Sequence, residues 1–272
     1  MPDRYAVIGN PVAHSKSPSI HAEFARQTGQ DMAYELLLAP ADAFAASARA
    51  FQARGGRGAN VTLPFKGEAF GFANRCSDRA RAAQAVNTLK FEDDAIFGDN
   101  TDGVGLVNDL MHNLGCVIAG RRVLLLGAGG AARGVVGPLL ERQPARLVLA
   151  NRTLAKAQLL AQDFGGEFEA GAYAALAGRH FDIVINATSA SLSGALPPLP
   201  SGVFAHGALA YDMMYGKGDT PFLAFARREG AASFSDGLGM LVEQAAESFF
   251  IWRGLRPDTA PVLKLLRLGA DD

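Results

Sequence analysis

The sequence predicts an α/β protein of two domains with mostly parallel sheets, and three observations carry this prediction. The chain has 272 residues, which is long for one domain and comfortable for two. Short apolar runs alternate with helix-forming segments over most of the chain, as they do where helices cover both faces of a parallel sheet. The run 123–126 is wholly apolar and leads into a glycine-rich turn, which is typical of a central parallel strand followed by a helix.

The first half of the chain contains five predicted elements. They are a strand at 5–9, a helix at 18–28, a strand at 33–39, a helix at 41–54 and a strand at 58–62. Pro18 suits the first position of its helix, with Ser17 before it as the N-cap. The second helix is rich in alanine and ends at Gly55-Gly56. Pro64 stops the third strand.

A second series of strands and helices begins near residue 121. Its predicted elements are strands at 123–126, 146–150, 181–186 and 208–212 and helices at 131–141 and 154–164, followed from about residue 237 by two more helices. The proline-rich stretch 196–200 indicates a stiff loop inside a domain and not a linker between domains.

Composition argues against several classes of function. The formal net charge is -1, so no basic surface for nucleic acid is indicated. The two cysteines lie far apart and the five histidines show no metal-ligand spacing, so we expect neither a disulfide nor a metal site. No signal peptide or membrane-spanning run is evident, and we expect a cytoplasmic protein.

The sharpest local signal is the turn after strand 123–126. Its residues are Gly127, Ala128, Gly129, Gly130, Ala131 and Ala132. The first glycine permits a tight turn, and the second lets the backbone approach a pyrophosphate, whose oxygens bind N–H groups at the helix start. Ala132 replaces the third glycine of the usual fingerprint, which is a common variant. The turn predicts a dinucleotide site, and the alternative is a merely tight strand–helix connection.

The end of strand 146–150 favours NADP over NAD. An NAD-specific site usually places Asp or Glu there to accept from the ribose hydroxyl, whereas this chain has Asn151, Arg152 and Thr153. The guanidinium of Arg152 fits a 2′-phosphate, Thr153 adds a hydroxyl donor, and Lys156 adds positive charge. The alternative is that Arg152 is an ordinary surface arginine.

Polar residues also follow strand 181–186. The strand ends in Asn186-Ala187-Thr188-Ser189. Because ligands lie at the carboxyl ends of parallel strands, these residues are expected to border the nicotinamide half of the cofactor. Capping of the following turn is the competing interpretation.

Four polar clusters at strand ends or in the loops after them complete a longer pattern. They are Ser15-Lys16-Ser17, Asn60-Val61-Thr62 with Pro64-Phe65-Lys66, Ala85-Val86-Asn87-Thr88, and Gly98-Asp99-Asn100-Thr101-Asp102-Gly103. The glycine-rich turn, Asn151-Arg152-Thr153, Tyr211-Asp212-Met213 and Asp236-Gly237-Leu238-Gly239-Met240-Leu241 continue the order. Together these motifs closely resemble the shikimate dehydrogenase family, from about residue 4 to 268.

The resemblance implies NADPH-dependent reduction of 3-dehydroshikimate to shikimate in aromatic amino acid (chorismate) biosynthesis, with Lys66 and Asp102 as the catalytic pair. The residue chemistry agrees, because an ammonium near the developing alkoxide can stabilise its charge and donate a proton. The carboxylate beside it would hold the lysine in place. Which of the two transfers the proton stays open, and a plain ion pair is the alternative.

The resemblance also assigns ligand contacts. Those expected for the substrate are Ser15 and Ser17 at the carboxylate with Tyr215 nearby, and Asn60, Thr62, Asn87 and Gln244 at the ring hydroxyls and the reacting oxygen. Amides suit such a ring because they both donate and accept, and turn capping is the alternative for the two asparagines. Those expected around the nicotinamide are Met213, Gly237, Met240 and Leu241, with core packing as the alternative for the methionines. Asp78 is expected near the cofactor cleft.

The resemblance implies a domain plan as well. Residues 1–103 plus 237–272 should form an N-terminal α/β substrate domain completed by the C-terminal helices. Residues 104–236 should form a Rossmann-like NADP-binding domain, with the active site in the cleft between the two. Monomer and homodimer both stay open.

Three other interpretations compete with this assignment. The nearest is a quinate/shikimate dehydrogenase with dual NAD and NADP use, against which Arg152 argues. A nucleotide-binding sensor without catalysis would not need Lys66 and Asp102. A folate-type methylene dehydrogenase of similar plan would not need a carboxylate site at Ser15 and Ser17.

Overall fold

The structure, a computed structural model, describes residues 1–188, 190, 194–216 and 218–268. The chain divides into two compact units. The first unit comprises Met1–Gly105 with Val242–Leu265, and the second comprises Leu106–Leu241 with the residues from Leu266 on. Over the described residues each unit carries one six-stranded sheet with helices. The predicted α/β class with two domains is confirmed.

The N-terminal part of the first unit has alternating strands and helices followed by a β-hairpin. Its elements are β1 (Asp3–Gly9), α1 (Ser17–Thr28), β2 (Met32–Leu38), α2 (Phe44–Ala53), β3 (Gly56–Val61), α3 (Lys66–Phe72), β4 (Arg75–Cys76), α4 (Asp78–Ala83), β5 (Thr88–Phe91) and β6 (Ile96–Asp99). Helix α5 (Asp102–Asn108) starts in this unit and ends in the second.

The sheet of the first unit is only partly parallel. Its strand order is β2-β1-β3-β5-β6-β4. Strands β2, β1 and β3 run parallel, whereas β5 is antiparallel to both β3 and β6. The sequence analysis missed this hairpin. Only residues 92–95 separate β5 from β6, and so short a connection can join only antiparallel strands.

The second unit follows the predicted pattern more closely. Its elements are β7 (Arg122–Leu126), α6 (Gly130–Leu140), β8 (Arg146–Ala150), α7 (Leu154–Asp163), β9 (Glu169–Gly171), β10 (Phe181–Asn186), β11 (Phe204–Asp212), α8 (Pro221–Arg228) and β12 (Ser233–Ser235). Helix α9 (Leu238–Arg253) starts here and continues into the first unit, and α10 (Ala260–Leu268) follows it. The strand order is β12-β11-β10-β7-β8-β9, and all five pairings are parallel.

The apolar run in β7 has the physical cause that the sequence suggested. Val123 and Leu125 pack into one hydrophobic cluster, while Leu124 and Leu126 pack into a second. Successive strand residues point to opposite faces, so both faces of this sheet are buried. A strand covered on both sides cannot carry a polar face.

Two predicted element starts are wrong in detail. Helix α1 starts at Ser17, so Lys16 and not Ser17 is its N-cap, and no side chain caps it. Helix α2 starts at Phe44 and not at residue 41, because the chain first makes a turn in which Ala43 N donates to Pro40 O over 3.0 Å. Pro18 therefore occupies the second position of α1 and not the predicted first, and Gly29 ends the helix with a positive φ of 63°.

Candidate active site

The antiparallel strand β5 gathers the polar clusters of the first unit. Thr88, its first residue, pairs with Asn60 near the end of β3 and with Asp99 at the end of β6. Because β5 runs in the opposite direction, its start lies at the edge of the sheet where β3 and β6 end. Asn87 and Asp102 therefore meet although one precedes a strand and the other follows one.

Lys66 and Asp102 form an ion pair in the first unit. Lys66 is the first residue of α3 and Asp102 the first of α5. The Lys66 Nζ donates to Asp102 Oδ2 over 2.6 Å, with side chains 30% and 10% exposed. A largely desolvated carboxylate holds an ammonium more firmly than one in water does. The lysine still keeps solvent access, which a group that meets a substrate requires.

Asn87 joins the ion pair of Lys66 and Asp102. Its Nδ2 donates to Asp102 Oδ1 over 2.8 Å and lies 3.4 Å from Gln244 Oε1. The Asp102 carboxylate thus receives the Lys66 ammonium on one oxygen and the Asn87 amide on the other. The structure brings together four predicted site residues, since Gln244 lies beside this group.

The predicted carboxylate site is also local to the first unit. The Ser15 Oγ donates to the Ser17 Oγ over 3.1 Å, and Ser17 N donates to the Ser15 Oγ over 3.2 Å. Ser17 is buried and Ser15 half-buried. Tyr34 also contacts Ser17, and burial raises the pKa of the Tyr34 phenol well above its ordinary value. Thr62 is half-buried in the loop after β3, where its backbone N–H bonds Ile8 O.

Asn60 is enclosed by other protein groups. Its Oδ1 accepts from the Tyr34 hydroxyl over 2.8 Å and lies 3.2 Å from His21 Nε2. His21 is fully buried and stacks on Tyr34 with ring centroids 4.4 Å apart. Sequence reasoning missed both aromatic partners and Ser248, another neighbour of Asn60. No spacing signal connects residues so far apart in the chain.

The glycine-rich turn lies at the carboxyl end of β7 in the second unit. Gly127 has φ of 105°, and a Cβ there would lie 3.1 Å from Thr188 Cγ2, so the fold itself requires a glycine. At Gly129 an added Cβ would meet no described atom within 4 Å. The space beside Gly129 is open, as close approach of a pyrophosphate requires. Helix α6 starts at Gly130 without a side-chain cap, which leaves its first N–H groups for a ligand.

The predicted 2′-phosphate contacts lie at the end of β8. Arg152, Thr153 and Lys156 are exposed, and the Asn151 Nδ2 donates to Thr153 O over 2.9 Å. Thr153 is the N-cap residue of α7, yet its hydroxyl does not cap that helix. The side chains of Arg152 and Lys156 and the Thr153 hydroxyl suit an anionic group at the start of α7.

A cavity of about 390 Å³ joins these two features. Its lining includes Gly127, Gly129, Arg152, Tyr173 and Thr188, with Leu196-Pro197-Pro198 on another side. The volume lies within the range usual for small-molecule sites. The predicted stiff loop thus forms a wall of the predicted cofactor site.

The polar residues after β10 cap a turn. The Asn186 Oδ1 accepts from the Thr188 hydroxyl over 2.7 Å and from Thr188 N over 3.2 Å. The Asn186 Nδ2 donates to Asp212 Oδ1 over 3.1 Å. The alternative of turn capping therefore describes Asn186, while Thr188 also lines the cavity. Ser189 lies outside the described residues.

The predicted nicotinamide residues lie near Asp109, a buried carboxylate that sequence reasoning missed. Met240 is buried and Met213 packs against the same cluster. A Cβ on Gly237 would lie 2.2 Å from Met213 O, so only glycine fits. The Tyr211 hydroxyl donates to Asp109 Oδ2 over 2.7 Å. The signal available in the sequence was an acidic residue, Asp109, directly after the helix α5.

Three further predicted residues are placed as follows. Tyr215 is half-buried, and burial together with the Asp236 carboxylate raises its pKa. Leu241 is half-buried, and its N–H donates to Gly237 O over 3.0 Å. Asp78, in the first turn of α4, has a 98% exposed side chain that pairs with Arg81.

Two kinds of feature are absent from the described residues. They contain no group of three or more His, Cys, Asp or Glu side chains that could hold a metal ion. Within the same part of the chain, no helix is long and apolar enough to cross a membrane.

The fold and these sites define a class of protein. A parallel sheet with a glycine-rich turn and basic residues after the next strand is the architecture of a nucleotide-dependent oxidoreductase. The first unit adds a lysine–carboxylate pair of the kind that handles a proton.

Comparisons with known proteins give the family. The models described as shikimate dehydrogenase substrate binding domain, shikimate / quinate 5-dehydrogenase and shikimate 5′-dehydrogenase C-terminal domain match residues 7–89, 109–193 and 237–267. The shikimate dehydrogenase (NADP(+)) of Nitrosospira multiformis is 63% identical over 98% of both chains. The chain belongs to the shikimate dehydrogenase family.

Solved structures agree with this placement. An Ael1 enzyme from Pseudomonas putida is 52% identical, covers 97% of this chain and 98% of its own, and superposes with a TM-score of 0.94. Shikimate 5-dehydrogenase from Thermus thermophilus, in complex with NADP(H) and shikimate, is 34% identical with the same coverage and a TM-score of 0.87.

Proposed function

We propose that the protein catalyses the reversible, NADPH-dependent reduction of 3-dehydroshikimate to shikimate in aromatic amino acid (chorismate) biosynthesis. The observation that carries the proposal is the group formed by Lys66, Asp102 and Asn87. The Asp102 carboxylate makes a 2.6 Å ion pair with Lys66 and accepts a 2.8 Å hydrogen bond from the side-chain amide of Asn87. The 63% identity to a protein named shikimate dehydrogenase (NADP(+)) supports the same substrate and cofactor here.

The residues of the first unit would handle the proton. Bound NADPH would supply the hydride to the carbonyl carbon. As negative charge develops on the carbonyl oxygen, the Lys66 ammonium would stabilise it and donate the proton. Asp102 would orient the lysine and accept from the neighbouring substrate hydroxyl. The Asn87 amide, fixed on Asp102, would keep this carboxylate in place.

The remaining substrate contacts follow from the residue chemistry. Ser15 and Ser17, whose hydroxyls lie 3.1 Å apart, would donate to the substrate carboxylate. Thr62 and Gln244 would hold ring hydroxyls. Tyr215 stays a prediction for the carboxylate. We propose that the first unit is the substrate-binding domain and the second the NADP-binding domain.

The second unit would bind NADP through its backbone and two cations. The pyrophosphate would lie over Gly129 and the start of α6, with the 2′-phosphate at Arg152, Thr153 and Lys156. The residues directly after β8 include no Asp or Glu, although an NAD-specific site usually has one there. Dual use of NAD with quinate is therefore not favoured. The nicotinamide contacts of Met213, Gly237, Met240 and Leu241, and a cofactor role for Asp78, stay predictions. So do a cytoplasmic location and a monomeric or homodimeric state.

The first experiment measures NADP-coupled absorbance with shikimate and with quinate, each repeated with NAD. We expect turnover with shikimate and NADP far above every other pair. Arg152→Gln should raise the KM for NADP by about tenfold, the effect of losing one charge-assisted contact, and leave the KM for NAD unchanged. Comparable efficiency with quinate or NAD would refute the specificity. NADPH binding without turnover of any pair would favour the sensor hypothesis.

A further inference from the structure

We infer that Asn60, Thr88 and Ser248 are positioning residues, which fix the amide of Asn87 so that it presents its N–H groups to Asp102. The inference rests on the proposed function, because it concerns the same catalytic group. It assigns a role to Thr88 and Ser248, and it changes the role of Asn60 from a substrate contact to an internal support.

The first step is that Asn60 is already satisfied by the protein. Its oxygen accepts from the Tyr34 hydroxyl and faces His21 Nε2. Its Nδ2 lies 2.9 Å from Ser248 Oγ, 3.2 Å from Thr88 Oγ1 and 3.2 Å from Asn87 O. The residue is only 6% exposed. An amide with acceptors for its donors and donors for its acceptor has little to offer a substrate.

The second step is that the oxygen and nitrogen of the Asn87 amide can be assigned from neighbours that cannot reverse their roles. The Thr101 N–H, which can only donate, lies 2.9 Å from the Asn87 Oδ1. The Asp102 carboxylate, which accepts, lies 2.8 Å from the Asn87 Nδ2. A flipped amide would face an N–H with its own donors and a carboxylate with its oxygen.

The third step is that Thr88 and Ser248 link the two asparagines. The Thr88 hydroxyl donates to Asn87 Oδ1 over 2.9 Å and lies 2.7 Å from Ser248 Oγ. Because the Thr88 hydrogen is used for Asn87, the Ser248 hydroxyl is the donor between the two hydroxyls, and its Oγ also lies 3.0 Å from Gln244 O, one turn earlier in α9. Both hydroxyl residues are fully buried. Water cannot replace a lost partner there, so each missing hydroxyl removes a hydrogen bond that nothing restores.

The consequence is a continuous set of hydrogen bonds that ends at the reacting group. It runs from Asn60 through Ser248 and Thr88 to Asn87, and from there to Asp102 and Lys66. Catalytic groups lose rate when their supporting contacts allow small displacements. Loss of the Thr88 hydroxyl should therefore lower kcat while cofactor binding is unaffected.

The test compares Thr88→Val with Thr88→Ser. Valine keeps the shape and removes the hydroxyl, whereas serine keeps the hydroxyl and removes the methyl group. We expect Thr88→Val to lower kcat by about tenfold, as expected for one buried hydrogen bond, with KM for NADPH unchanged. Thr88→Ser should retain kcat within about twofold even if its thermal midpoint falls, because the hydrogen bond persists. The proposal would be overturned if kcat fell in step with the thermal midpoint in both variants.

A second variant covers the case in which Thr88→Val does not fold. Ser248→Ala removes the nearest of the three acceptors of the Asn60 amide, and alanine is well tolerated at a helix position. It should lower kcat by about five- to tenfold, again without a change in KM for NADPH. Wild-type kcat in a folded Ser248→Ala protein would contradict the role of Ser248.

A spectroscopic measurement separates this proposal from the proposed function. The side-chain NH₂ signals of Asn87, identified by their loss in Asn87→Asp, should exchange slowly with solvent in the wild type and faster in Ser248→Ala. If the wild type fails to turn over 3-dehydroshikimate, the proposed function is wrong, and slow exchange would still support positioning. Fast exchange of the Asn87 amide in the wild type would refute positioning whatever the activity.

Discussion

The proposed sites of the two units are formed by different parts of the chain, side chains in the first unit and backbone in the second. In the first unit, side chains form the site, and almost every polar atom around Asn87 and Asp102 has a side-chain partner. In the second, the backbone of the turn 127–132 forms the centre of the site, where Gly129 faces open space. The first therefore depends on residue identity at many positions, and the second on the absence of side chains at a few.

This difference has a chemical reason. A proton must be delivered to one oxygen, which requires a charged group held at a fixed place. A pyrophosphate spreads its charge over several oxygens, and N–H groups at a helix start suffice for it. The two sites should therefore respond differently to substitution.

The largest effect is expected in the first unit. Lys66→Ala should lower kcat by about 10²- to 10⁴-fold, the range for loss of a general acid or an oxyanion contact. The Kd for NADPH, measured by nucleotide fluorescence, should not change, because the proposed cofactor contacts do not include Lys66. Lys90→Ala is the matched control, since Lys90 lies on β5 with a half-exposed side chain. If Lys66→Ala lowers kcat only slightly, Lys66 and Asp102 form an ion pair without a catalytic role.

The next effect tests the backbone site of the second unit. Gly129→Val should raise the Kd for NADPH by about 100-fold, equal to about 2.7 kcal/mol, because the side chain fills the space that the pyrophosphate needs. The thermal midpoint should not change, since an added Cβ meets no described atom within 4 Å. Gly137→Ala, inside the helix α6 that follows Gly129, is the control, because the nearest contact of its added Cβ is an ordinary 3.7 Å. Unchanged NADPH affinity in Gly129→Val would place the pyrophosphate elsewhere.

The smallest effect concerns His21, which contacts Asn60 in the first unit. Burial lowers the pKa of His21 to about 3 from its ordinary 6.5. Between these values the unfolded chain binds a proton that the folded chain does not, so stability is lost as the pH falls below 6.5. At pH 5 the loss from this group is about 2 kcal/mol relative to pH 7.

The measurement for His21 is denaturant unfolding from pH 7 to pH 5. Trp252, the single tryptophan of the chain, belongs to the first unit and reports on it by fluorescence. His21→Gln keeps a donor for Asn60 Oδ1 and cannot titrate, so its unfolding free energy should depend less on pH. Parallel pH profiles of the two proteins would show that His21 is not the group responsible.

Sequence reasoning did best where a motif is local. The turn 127–132 and the strand before it could be predicted because the glycines, the apolar run and the helix start are adjacent in the chain. Lys66 and Asp102 were predicted as a pair through the family resemblance, and they lie 2.6 Å apart. Periodicity alone did not indicate this contact, because residues 36 positions apart meet only through the sheet.

It did worst where a contact depends on strand direction or on burial. The antiparallel β5 was missed, although its direction is what brings Asn87 to the ends of β3 and β6. Asn60 was predicted to contact the substrate, yet its amide faces Tyr34, His21 and Ser248. Chemistry alone does not tell whether an amide points outward or into the core.

The sequence by itself determined the α/β class, the parallel sheet of the second unit and the location of its glycine-rich turn, because each follows from residues that are neighbours in the chain. Only the tertiary structure decided which polar side chains meet around Asn87 and Asp102. Those contacts join residues as far apart as Asn60 and Ser248. The antiparallel pairing of β5 and the burial of these groups fix the contacts, and neither is encoded by local pattern.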